Sequence, residues 1–377
     1  RDVTLQSGGD ITDSFGNAAI TANILTLQAG GKIDLNTGSS VNVFNAANSG
    51  GNIHFSNLKP LTVGSVAHVG AGDTKIENTG NIALGTIDGG GALVLLRANG
   101  GNITDNNSSA DNVFNASRID FNDASTSNPG GVGTFADSIE VYHATGATLV
   151  SATAKNGGIY LQKTSGTGLL DLQGITHDGT SSHDIDIQSD TGIVNNTGFV
   201  TAGTNNGNVL LQSSGTGGIA VNSDINKGGS GTLTLRSTGA SQNITLAGNV
   251  SANSGNVVIE SASDVVGGAS NKTLSGQNLT MVAGGVINFD SAASKDSKLQ
   301  VPGTTSLTAS GGYIVADNAT NEFGGIVSVS SGTNVKLVDK DAITLGNLSH
   351  TGNLSVTAGG AVTGSGVIGG AGYASVT

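Results

Sequence analysis

A repeat with a constant step dominates the middle of the chain. Gly207-Asn208-Val209-Leu210-Leu211-Gln212 returns as Gly231-Thr232-Leu233-Thr234-Leu235-Arg236, and again as Gly255-Asn256-Val257-Val258-Ile259-Glu260. The step from Val209 to Leu233 to Val257 equals that from Leu211 to Leu235 to Ile259. A fixed period of roughly 20–50 residues marks a solenoid-type array, in which each unit buries its apolar stripe only against the units above and below it. A globular chain of 377 residues would suggest two or three domains. In an array the length reflects copy number instead, so residues 1–377 read as one repeat domain.

Inside the repeat, short alternating runs are joined by small-residue turns. Leu25-Thr26-Leu27-Gln28-Ala29-Gly30-Gly31-Lys32-Ile33-Asp34-Leu35 shows the unit. Strand side chains alternate faces, so Leu25, Leu27, Ile33 and Leu35 share one side. The two glycines stand where the backbone must bend, and positive φ is the reason expected for them. The same turn recurs at Ser7-Gly8-Gly9, Ala283-Gly284-Gly285, Ser310-Gly311-Gly312 and Ala358-Gly359-Gly360. A third short run often follows, at Val250 after Ile244 and Leu246, and at Ile343-Thr344-Leu345 after Val335 and Leu337.

Three runs and three turns describe one coil of a parallel β-helix, and parallel crossovers favour the right hand. The expected fold is all-β, a right-handed β-solenoid with about 16 coils of roughly 20–28 residues. At about 4.8 Å per stacked strand such an array would be roughly 75 Å long. A first-strand ladder can be read through Val3, Leu25, Ile53, Thr74, Val94, Ile119, Ile139, Ile159, Ile185, Val209, Leu233, Val257, Leu279, Thr305, Val327, Leu354 and Ala374. Longer polar stretches at 36–51, 122–133, 176–184 and 290–303 read as loops, either tolerated drift or a binding face. Asn81, Asn102, Asn208 and Asn256 precede strands; they fit stacked amides or left-handed turn geometry equally well.

Composition excludes several classes. The chain has 61 Gly and 3 Pro, no Cys and no Trp, with 36% hydrophobic residues that recur in register, which argues against disorder. A net charge of −12 repels nucleic acid and anionic lipid, so neither is an expected partner. No apolar stretch is long enough to span a bilayer, and direct membrane insertion is not expected. The chain opens on Arg1 and closes on Ala371-Gly372-Tyr373-Ala374-Ser375-Val376-Thr377, which resembles the start of another repeat. It reads as a piece of a longer protein.

Reactive constellations are sparse. The six histidines are scattered, and the nearest thing to a ligand set is His177-Asp178 with His183-Asp184-Ile185-Asp186, equally explained by a polar loop. Gly70-Ala71-Gly72-Asp73 partly matches a calcium nonapeptide, but that motif binds only in tandem. Paired carboxylates suited to acid/base work could be Asp120 with Asp123, or Asp184 with Asp186. A solvated strand face explains both pairs as well. No nucleophile elbow, phosphate loop or dinucleotide motif occurs. No catalytic, cofactor-binding or metal residue is assigned, and no cofactor is expected. Asn-x-Ser/Thr sequons are plentiful, as at Asn243, Asn249, Asn271, Asn278, Asn318, Asn347 and Asn353, and in a chain rich in Asn, Ser and Thr most arise by chance.

The pattern hydrophobic-x-hydrophobic-x-(Ala/Ser)-Gly-Gly-x-(Ile/Val), seen at Leu25–Ile33, Leu279–Ile287 and Leu354–Val362, resembles the repeat shaft of filamentous-haemagglutinin-type bacterial exoproteins. These are the secreted partners of two-partner, type V secretion systems. The resemblance covers essentially the whole chain, but as a style of repeat, with no amino-terminal secretion domain. It implies a right-handed β-helix, export through an outer-membrane transporter partner, a secreted or cell-surface location, and work as an adhesin or biofilm matrix protein. The expected partner is then extracellular polysaccharide or a cell-surface receptor, met by weak polyvalent contacts. Two alternatives stand beside this non-enzymatic reading. One is the shaft of a contact-dependent toxin or haemolysin of the same secretion class; the other is a β-helix polysaccharide lyase or hydrolase.

Overall fold

The computed structural model describes residues 1–377 apart from 14–18, 108–110, 145, 165, 181, 202–204, 270, 296 and 365. The chain is all-β, a right-handed parallel β-solenoid of about 16 turns. Among the described residues the one helical element is the short 3-10 turn Ser291–Ala293. Two compact units divide it, Arg1–Gly179 with His183–Ser189, and Thr180–Ser182 with Asp190–Thr377.

The second unit follows the repeat closely. Val209, Leu233, Val257, Leu279, Thr305, Val327 and Leu345 stack as Cα partners on one side of successive coils. Leu235 is fully buried between Leu211 and Ile259, as its spacing requires. A second side carries Ile193, Ile219, Ile244, Val265, Ile287, Ile314, Val335 and Leu354. The third carries Phe199, Ile225, Val250, Leu274 and Leu299. Burying each such side chain is worth roughly 1.5–3 kcal/mol, and no coil can do so alone.

In the first unit one wall carries Leu25, Phe44, Val63 and Leu84. The other carries Ile33, Ile53, Thr74, Val94, Ile119, Val150 and Leu172. Phe44 and Phe55 stack across the core at 4.0 Å between ring centroids. Some sides here fuse into long strands such as Leu61–His68, whose inward positions change parity at Gly64-Ser65. The matching register shift against Phe44 and Ala46 keeps Val63 and Val66 both inside.

These registers correct the first-strand ladder. Leu25 pairs with Phe44, not Ile53; Ile53 through Ile119 run along the second wall, and Leu354 pairs with Val335. The step over Phe44 arose because 36–51 read as a loop. Most of it lies in the continuous strand Ile33–Asn48, with Val41, Phe44 and Ala46 buried and Asn36, Asn42 and Asn45 facing out. Ile343–Ser349 is likewise no third run: Leu345 pairs with Val327 and opens a new coil. Period-two alternation says that a run has an inner face, but not which wall it joins. Of the other expected loops, 122–133 contains no named strand, whereas 290–303 contains Lys298–Val301; Asp296 there, and Ser181 in 176–184, lie outside the described residues.

The paired glycines at the turns serve a different need from the one expected. Gly30, Gly31, Gly284, Gly285, Gly311 and Gly312 are absent from the positive-φ residues. Close stacking requires them instead. A Cβ on Gly30 would sit 2.1 Å from the Gly8 carbonyl oxygen of the preceding coil, and one on Gly284 would sit 2.1 Å from that of Ala262. The asparagine alternatives also resolve. Asn81, Asn102 and Asn208 have ordinary φ, and their Oδ1 atoms accept backbone N–H bonds from Asn102 (2.9 Å), Gly131 (2.7 Å) and Thr232 (3.0 Å) of the following coil. Asn256 accepts from the Asn278 side-chain amide at 2.9 Å. A side-chain ladder thus runs beside the backbone ladder. Inside the corners, buried amides satisfy turn carbonyls: Asn48 donates to Gly50 and Gly51 at 3.0 and 2.9 Å, and Asn78 to Gly80 and Asn81 at 3.0 and 2.9 Å.

Candidate functional site

The most distinctive outward feature of the first unit is a short excursion between Val132 and Ile139. Val132 keeps its place in the wall through parallel bridges to Ile103 and Ile159, and Ile139 rejoins it opposite Leu161. Between them Thr134 and Asp137 form an antiparallel bridge with reciprocal N–H···O bonds of 2.8 and 3.1 Å. Phe135 and Ala136 are the two residues at the tip. Gly133 makes the entry possible: its φ is +69°, and a Cβ there would meet the Tyr160 carbonyl oxygen at 2.3 Å. Phe135 is 81% exposed, and its ring meets that of Tyr160 edge-on, with centroids 6.4 Å apart and planes at 79°.

Tyr160 is itself held. Its ring passes over Gly158, where a Cβ would lie 2.4 Å from Cε2. The register places Asp186 beside Tyr160 and Gln188 beside Gln162, with Glu140 opposite Gln162 on the other side. All five alternate with the buried Ile159, Leu161, Ile185, Ile187 and Val141, so they point outward. Gln188 donates to Asp186 at 3.0 Å. Burial, then the neighbouring Asp184 and Asp186 carboxylates, raise the Tyr160 phenol; burial and Asp184 also raise Asp186 against the bond from Gln188. Burial, with Asp105 next in weight, pushes Glu140 up to about 7. One Glu140 carboxylate oxygen is buried without a hydrogen-bond partner.

The carboxylate pairs read from the sequence separate on inspection. Arg97 binds Asp123 on one side and Glu77 on the other. Asp120 is gripped by Arg118 at 2.9 Å and accepts from Ser151 at 2.5 Å. Both members of that pair are therefore neutralised by separate partners. Asp184 and Asp186 do flank one residue, Ile185, and it is this pair that lies beside Tyr160. The His177 ring is buried, 3.1 Å from the Gly157 carbonyl, and its centroid is 5.8 Å from that of His183. Asp73 accepts from the backbone of Leu93 and donates its own N–H to Asn52, a place in the wall's ladder. Among the described residues no three His, Cys, Asp or Glu side chains converge as a metal set.

A second outward row, also in the first unit, is ionic. His54 lies 3.2 Å from Glu77 and 3.6 Å from Asp34, and Lys75 reaches Glu77 at 2.9 Å. Burial raises Glu77, but bonds from Lys75, Arg97 and His54 outweigh it and bring it down to about 2. Sequence reading missed both rows. The aromatic one had a usable signal: in a chain with nine Phe, four Tyr and no Trp, Phe135 sits beyond a glycine-rich turn and outside any alternating run.

Residues 254–330 and 332–377 match a family model described as Repeats of unknown function (DUF5649). No curated protein and no solved structure matches the chain. The matched residues lie in the second unit and take in its coils from Val257 onward, so repeat character there rests on both sequence and fold. What the chain can be said to be is a β-solenoid repeat protein.

Proposed function

We propose that this chain is part of the shaft of a secreted adhesin or biofilm matrix protein of the filamentous-haemagglutinin type. It acts as a non-enzymatic spacer that meets polysaccharide or a cell-surface receptor through weak, repeated contacts. The supporting observation is the wall itself, in which coil after coil turns a mixed row outward from one aliphatic core: Leu210 and Gln212, Thr234 and Arg236, Val258 and Glu260, Thr280 and Val282. Repeated weak contacts on one body give avidity without a deep site. The state of Asp120 and Asp123 supports the absence of catalysis, since each is engaged by its own arginine. The net charge of −12 disfavours nucleic acid, and among the described residues no helix is long and apolar enough to cross a membrane. Export would use an outer-membrane transporter partner, for which a chain without cysteine needs no reduction step.

The test uses immobilised polysaccharides, with the protein presented singly and on multivalent beads, and reducing ends measured after incubation. Retention that rises with valency and no new reducing ends is the expected result. Release of reducing ends would turn the reading to a β-helix lyase or hydrolase, and no retention in either format would remove the adhesive role.

A further inference from the structure

We infer that the outward face formed by Phe135, Tyr160, Gln162, Asp186 and Gln188 is a binding platform for uncharged sugar rings of a polysaccharide. The inference rests on the adhesive reading above and names the chemistry and place of one contact.

A sugar ring has an apolar C–H face and an equatorial belt of hydroxyls, so it needs an aromatic surface with hydrogen-bonding groups beside it. Phe135 provides the surface. It is 81% exposed, yet it is not a loose side chain, because two reciprocal backbone bonds close the turn beneath it and Tyr160 braces it edge-on. A T-shaped contact covers at most one face of Phe135, and its 81% exposure leaves the rest of the ring open. An exposed aromatic that is already ordered loses little conformational freedom on binding. The flanking groups stand one coil apart in register: Tyr160 beside Asp186, and Gln162 beside Gln188. Strand partners lie about 4.8 Å apart, a spacing that one monosaccharide spans.

The amides donate and accept, and the carboxylates accept from hydroxyls. Around Tyr160 the outward positions of the paired strands are Glu140, Gln162, Asp186 and Gln188, which suit hydroxyls rather than a peptide helix or a lipid chain. Charge narrows the ligand further. Asp184 and Asp186 make the site acidic, and the chain carries −12 overall, so a uronic or sulfated polymer would be repelled.

The experiment titrates the whole chain, wild type and variants, with dextran, mannan, laminarin and chitohexaose, and with alginate and heparin as acidic probes. The Phe135→Ala, Gln162→Ala and Leu58→Ala variants are each checked for unchanged circular dichroism and melting. Leu58 is exposed and elsewhere in the unit, so its variant is the control. Expected is binding to at least one neutral glycan, weakened about tenfold by Phe135→Ala and severalfold by Gln162→Ala, and unchanged by Leu58→Ala. Wild-type binding to a neutral glycan that Phe135→Ala leaves intact would overturn the platform while the adhesive reading stands. A preference for alginate or heparin would overturn it as well. Absence of binding to every probe, singly and on beads, would remove both.

Discussion

Leu235→Ala tests the stacked core most directly. Leu235 is fully buried, with Leu211 and Ile259 as its partners in the coils on either side. Truncation removes about three carbons from the core, and at about 0.8 kcal/mol per methylene the transfer loss is roughly 2.4 kcal/mol. A cavity term adds to this when the surroundings cannot collapse. Here they cannot, since Leu235 is on a strand hydrogen-bonded to both neighbours. The total expected is therefore about 3–4 kcal/mol, in the middle of the range for buried leucines. Thr234, the adjacent residue, faces outward and is half-buried, so Thr234→Ala should cost no more than about 0.5 kcal/mol. Because arrays can open coil by coil, denaturation should be accompanied by hydrogen exchange at the amides of Leu233–Ser237 and the two flanking strands. Loss of protection centred on those strands for Leu235→Ala alone is the predicted pattern. Equal losses for the two variants would refute the assigned inner face, and with it the stacked columns.

Other consequences follow from the same packing. Thr74 and Thr305 interrupt the aliphatic columns with fully buried hydroxyls that have no partner, so Thr74→Val and Thr305→Val should each raise stability by about 1 kcal/mol in urea titrations. Gly30→Ala places its methyl against the Gly8 carbonyl and should lower the melting temperature clearly, whereas Gly8→Ala, with nothing within 4 Å, should leave it unchanged. Glu140 titrates near 7 when folded, above its unfolded value of about 4.3, so the folded state holds a proton that the unfolded chain has lost between those limits. Stability should therefore fall as pH rises from about 4.3 to 7, and Glu140→Gln should flatten that slope in melting curves. Glu77 behaves in the opposite sense: with its pKa depressed to about 2, its contribution is present above about pH 4.3 and is lost as pH falls toward 2, a loss that Glu77→Gln should abolish.

Much of the architecture is legible in the order of the residues, because a solenoid converts spacing along the chain into contact between coils. The step linking Leu211, Leu235 and Ile259 reappears unchanged as Cα partnership. Asp184 and Asp186 were singled out as an outward pair, and they face outward beside Tyr160. Alternation of apolar residues is a property of one strand, and it suffices to place an inner face. Which wall a strand joins, by contrast, depends on coil length and on bulges that only the neighbouring coil reveals. Hence spacing alone steps over Phe44, the partner of Leu25, and assigns Ile343-Thr344-Leu345 to the preceding coil. The glycine turns show the same division: their positions are written in the sequence, but the carbonyl 2.1 Å from a Gly30 Cβ belongs to residue 8. Phe135 beside Tyr160, and Arg97 between Glu77 and Asp123, depend on distances across coils. Local periodicity therefore decided the coil and its buried face, whereas the groups that meet on the outside were decided by stacking, which sets side chains more than 20 residues apart next to one another.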